Sequence, residues 1–223
     1  MDTVLAFVDE LEQRDAALAR PLALLVELGR SVDEIRSCAE QIRIFQQRLP
    51  RDREQLETTL AESARQFEVA KTALGVARSA VERARSDDAK TAARRREAHA
   101  LTDVRTTDER RLQLVARREE LAREERAAAE EIQMLDVRAR ELAAELVTAP
   151  RVAAPDRPGA GLDGLLDWAS GAHAAVVVAR SGLETERERV VREAHELASS
   201  VLGESLSATS VAAIRKRLEE ALA

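Results

Sequence analysis

Chemistry needs reactive side chains at a usable spacing, and this 223-residue chain holds few of them: three histidines, one cysteine, one tryptophan and several arginine clusters. His99, His173 and His195 are scattered along the chain, and His99 with Asp103 is the only pairing of a histidine with a carboxylate four residues on. Two ligands do not make a metal site, so the histidines are expected at the surface or at seam edges. Cys38 lies beside Ala39 on an apolar stripe with no basic neighbour to lower its pKa, the setting of an inert packed thiol and not of a nucleophile. Trp168 has two readings: an anchor that packs the loop end of a helix pair, or a partner-binding hot spot. Arg94, Arg95 and Arg96, with Arg110, Arg111, Arg117 and Arg118, are nearly balanced by Glu97, Asp103, Asp108, Glu109, Glu119 and Glu120. That balance predicts a solvated face and no phosphate track, hence no duplex binding at physiological salt. The phosphate loop GxxxxGK[ST], the GxGxxG fingerprint and the nucleophile elbow are absent from the sequence, which predicts no catalysis within these residues and no cofactor.

The elements available to position these groups are helices. Charged residues make up 34% of the chain and hydrophobic ones 45%, but aromatics only 2%, so a thick core cannot be filled while a narrow seam of alanine and leucine can. The net charge of -6 is spread over alternating signs, which reads as helix faces carrying i,i+4 pairs. A lone cysteine excludes an internal disulfide and fits a reducing, cytoplasmic setting. The longest apolar run, Ala174 to Ala179, is far short of the roughly 20 residues of a membrane span.

Residues 1–49 carry a heptad stripe through Leu11, Leu18, Leu25, Val32 and Ala39, with Leu28, Ile35, Ile42 and Leu49 beside it. Pro21 predicts a kink, and Leu49–Pro50 with Asp52 as cap predicts a tight reversal, placing residues 11–49 antiparallel to about 53–90. Residues 50–148 then read as one long central helix, with seams at Leu60, Phe67, Leu74 and Val81 and again at Leu114, Leu121, Ala128, Leu135 and Leu142. Between Arg85 and Ala100 the seam fades, Ser86-Asp87-Asp88 is a poor helix segment, and Val81 and Leu114 are not a whole number of heptads apart. A turn near residues 102–106, capped by Thr106 with Glu109, is the alternative and would give a four-helix spectrin-like bundle; no glycine, proline or asparagine punctuates it. Residues 149–161 form a Pro/Gly-rich loop. Residues 162–202, with Ala169, Val176, Leu183, Val190 and Leu197 in register, form a helix expected to return along the second half of the central one. Gly203 ends it, and residues 203–223 hold a short last helix starting near Ser207 to Ser210. The fold class is all-α: a long antiparallel coiled coil on one central helix with hairpins at both ends.

The Ala-, Arg- and Glu-rich heptads, the Pro-rich interruption, and the segments LDGLLDWA and LASSVLGESLSATSVAAIRKRLEEALA resemble the coiled-coil arm of an SMC-like or SbcC-like ATPase. The resemblance implies a structural arm segment serving DNA repair or chromosome segregation. Its full-length parent would be an ATPase, and nucleic acid would be met only through parts that this sequence lacks. Such families carry an ATP-binding head and a hinge or zinc hook, and no residue of either is present here, because there is no Walker motif, ABC signature or Cys-x-x-Cys. The alternative is a freestanding helical scaffold or adaptor that binds a protein partner, either another copy or a neighbouring coiled coil. Narrow stripes poor in Trp and Phe argue against membrane binding.

Overall fold

A computed structural model describes residues 2–203 and 210–222. Among them the fold is all-α: α1 Asp2–Arg83, α2 Asp87–Thr148, α3 Gly161–Leu202 and α4 Val211–Leu222. Residues 204–209 lie outside this description, and with them most of the stretch from Ser207 to Ser210 where the sequence places the start of the last helix; Ser210 caps α4, its Oγ accepting from the Ala213 N–H at 3.3 Å.

The break between the first two helices is not where the prolines suggested. α1 runs through both Pro21 and Pro50, and the chain turns instead at residues 84–86, inside the faded seam. The expected division into helices 1–49 and 50–148 is therefore replaced by one at 84–86, and Asp52 lies within α1 and caps nothing. The reason is visible in the heptads. Ile35, Ile42, Leu49, Leu56, Ser63 and Ala70 keep a spacing of seven straight through Pro50, so both sides of the proline pack along one stripe. Pro50 and the Gln46 carbonyl it leaves unbonded belong to exposed residues, so water satisfies the lost bond. At the real break the phase jumps: Val81 has no successor at seven, and the row restarts at Ala93, Ala100, Thr107, Leu114 and Leu121. Ser86-Asp87-Asp88 is a helix start, with Ser86 Oγ accepting from the Ala89 N–H at 3.2 Å and two aspartates in the first turn beside the positive end of the dipole. Nor does α2 turn at 102–106. Thr106 and Thr107 bond back to the Thr102 and Asp103 carbonyls at 3.0 and 2.7 Å, as helix-interior threonines do.

The chain divides into two compact units, residues 1–41 with 132–223, and residues 42–131. The second unit is an antiparallel helical hairpin. Arg53 meets Glu125 at 2.6 Å, the Arg111 guanidinium covers Phe67 at 5.1 Å, and Arg78 reaches Glu97 at 3.5 Å, so the partners converge on the turn. Its seam is thin, with Ala70, Leu74, Ala93, Ala100 and Leu121 buried, so the helices can lie close.

In the first unit α1 has two antiparallel partners. Glu34 meets Arg138 of α2 at 2.7 Å, while Asp15 meets Arg187 and Asp33 meets His173 of α3, each at 2.7 Å. Thus α3 returns along α1 and lies parallel to α2, where antiparallel packing on α2 was expected. A parallel neighbour needs a long crossover, and residues 149–160 provide it. Arg151 pairs with Glu186, a Cβ on Gly171 would touch Pro155 at 3.4 Å, and Gly159 abuts Gly164, so the loop runs back down α3 to its first turn. That path is roughly 35 Å by helix rise, close to the roughly 40 Å that these residues reach when extended; proline favours such a path. A Cβ at Gly164 would come within 2.5 Å of the Gly159 carbonyl carbon, so this contact requires glycine. Gly203 ends α3 in the left-handed region at φ 71°.

The core of this unit holds Leu25, Leu28, Val32, Ile35 and Ala39 of α1, Leu135, Ala139, Leu142 and Leu146 of α2, and Leu165, Ala169, Ala172, Val176 and Leu183 of α3. Val8 and Leu11 pack with Val190, Ala194 and Ala198 and with Val211, Ile214 and Leu218 of α4, all essentially fully buried. Arg215 completes the docking of α4 between Asp9 at 2.9 Å and Glu12 at 3.0 Å.

Candidate interaction surfaces

Each sequence-singled residue takes its place from these helices. Trp168, the residue put forward for partner binding, sits about two turns into α3 and is only 4% exposed. Its indole is a packing anchor within the chain and presents no free face, so the anchor reading replaces the hot spot. The indole Nε1 is buried with no acceptor from the protein. Cys38 is half-buried next to fully buried Ala39, on the edge of the α1 stripe.

The histidines do not converge. His173 Nδ1 stands 2.7 Å from Asp33 Oδ1 across the α1–α3 pair, in ion-pair range but without the alignment of a hydrogen bond. His195 lines a groove on α3, and exposed His99 lines a groove in the hairpin beside Asp103. No group of three or more His, Cys, Asp or Glu side chains able to hold a metal occurs among the described residues. The arginines serve mainly as exposed cross-links. Arg187 is held between its helix and Asp15, whose hydrogen bond and charge push the guanidinium pKa further up. Arg117 is raised likewise by hydrogen bonds to Glu120 and Glu124. Exposed pairs of this kind are screened by solvent and stabilise little; those that cross between helices, such as Arg187 with Asp15, mainly fix register.

Two grooves stand out among the described residues. In the first unit, Leu22, Ala23 and Val26 of α1 face Arg180, Glu184, Arg187, Val191 and His195 of α3. The groove continues through Gly29, Asp33, His173 and Val177, giving an apolar floor with rims of both signs along the α1–α3 pair. Its exposed apolar side chains include Val26 at 40% and Val177 at 49%. In the second unit, Val69, Thr72, Ala73, Val76 and Ala80 of α1 face Arg96, His99, Ala100 and Asp103 of α2. Val69 and Val76 are 69% and 67% exposed, well outside the hairpin's own seam. The sequence reading missed both rows because it sought one seam per helix; a second heptad column through Val69 and Val76 was the available signal. Among the described residues no helix is long and apolar enough to cross a membrane. No family model, curated protein or solved structure matches this chain.

Proposed function

We propose that the chain is a structural coiled-coil protein that presents helical grooves to a protein partner, without chemistry of its own. The observation that carries this reading is the α1–α3 groove, an open channel of valine, leucine and alanine rimmed by paired charges, which is the shape a third amphipathic helix fills. The test uses two baits, the unmodified chain and one carrying Val26→Glu with Val191→Glu, followed by reconstitution with the purified partner. A partner that binds the first and not the second supports the reading. Equal binding to both, or no reconstituted complex, refutes it.

A second reading, the arm of an SMC-like or SbcC-like ATPase, is favoured by one feature: α4 packs on the first turns of α1, bringing the two ends of the described chain into one cluster, as the base of such an arm requires. Against it, the hairpin closes in a three-residue turn at 84–86, which leaves no place between its helices for a hinge or hook, so the scaffold reading ranks first. A reading frame that continues into a Walker motif on one side and an ABC signature on the other would reverse that order.

A further inference from the structure

The hairpin carries a second heptad column on α1, Glu62, Val69, Val76 and Arg83, pointing away from the seam it shares with α2: all four are exposed. Two large apolar side chains, 69% and 67% exposed, stand between an acid at one end and a base at the other. Reversed, the column is its own complement: Glu62 falls opposite Arg83, and Val69 opposite Val76. The α2 row beside it obeys the same rule. Arg96 and Asp103 are seven residues apart and line the same groove, with His99 and Ala100 midway, as Thr72 and Ala73 are midway between the valines. Turning a second hairpin end for end about that midpoint sets Arg96 against Asp103, whereas a parallel copy would set like charges together.

We infer that this face binds a second copy of the chain, hairpin on hairpin, antiparallel and two-fold symmetric. Each isologous contact then occurs twice, Glu62 with Arg83, Val69 with Val76, and Arg96 with Asp103. Among the described residues, Arg83, Arg96 and Asp103 enter no ion pair within the chain, so they are free for these contacts. Glu62 accepts only from Gln66, at 3.2 Å. The overlap from residue 60 to the turn is roughly 35 Å long and two helices wide, roughly 20 Å. Burying both faces removes on the order of 1,400 Å² from water, within the range of specific interfaces. The inference goes beyond the scaffold reading and does not depend on it, since the groove of the first unit takes no part.

Sedimentation of the full chain over micromolar concentrations tests it. Monomer and dimer are expected in exchange, with Val76→Arg monomeric at every concentration and its helix content unchanged. Arg83→Glu alone, or Glu62→Arg alone, should weaken the dimer about tenfold, because two attractive pairs become repulsive. The double exchange Glu62→Arg with Arg83→Glu should restore it. Orientation is read in a Cys38→Ser background: Val69→Cys and Val76→Cys chains should not crosslink separately but should crosslink when mixed. A chain that stays monomeric, a dimer indifferent to Val76→Arg, failure of the double exchange to restore binding, or crosslinking of Val69→Cys with itself would each overturn the proposal.

Discussion

Replacing Pro50 by alanine separates the observed helix from a reversal at that point. Inside a helix, proline removes one backbone bond and crowds the carbonyl four residues back, at about 3 kcal/mol. Two features lower that figure here. Gln46, whose carbonyl is freed, is an exposed residue where solvent can take up the lost bond, and proline also restricts the unfolded chain by about 0.4–1 kcal/mol, a benefit that alanine forfeits. A net gain of about 1–2 kcal/mol is left for Pro50→Ala. Since the chain forms two units, a single melting temperature blends them. The local readout is hydrogen exchange across residues 46–54, where that gain corresponds to roughly 5- to 30-fold slower exchange if opening is local. Unchanged or faster exchange would refute the reasoning, because a proline that sets a turn stabilises it and its loss should loosen the segment.

Two further substitutions probe the remaining joints. Ser86→Ala removes the Oγ that accepts from the Ala89 N–H and should cost about 1 kcal/mol, seen as faster exchange confined to the first turn of α2; faster exchange spread along the whole hairpin would contradict a local cap. Ile214→Ala empties a fully buried position between α4, α1 and α3, at about 2–5 kcal/mol. It should release α4 to proteolysis while the hairpin keeps its protection, and uniform loss of protection would show that α4 is not a separable clasp.

The helices themselves were legible because a seven-residue spacing of Leu, Ile, Val and Ala has one structural solution, and the composition left no other core to build. The Pro/Gly-rich stretch was equally plain, since α2 ends at Thr148 and α3 begins at Gly161 on either side of it. The turn was misplaced because punctuation was weighed above phase. Pro50 is a strong local breaker, but Leu49 and Leu56, both half-buried, continue one stripe on either side of it, and tertiary packing along a common stripe outweighs one lost bond. Ser86-Asp87-Asp88 looked poor as helix interior because serine and aspartate suit a helix start. Partner assignment failed for a different reason: an alanine-rich stripe fits several neighbours, and only the length of the crossover loop tells whether the next helix runs with or against the last. Trp168 was ambiguous because burial of one indole depends on that same choice of neighbour.

The clasp formed by α4 also sets a timetable. Residues 42–131 can pair within a short stretch of chain, but Val8 and Leu11 find their partners only at Val190–Ala198 and Val211–Leu218. On a ribosome that adds about 5–20 residues per second, the apolar row at the start of α1 waits roughly 10 to 40 seconds for those partners to be made. During that interval this row stays uncovered, and its pairing with α4 must overcome the entropy of closing a loop of roughly 200 residues. The stripe at the start of α1 is thus open to capture by chaperones, or by another copy still in synthesis, until α4 has been made.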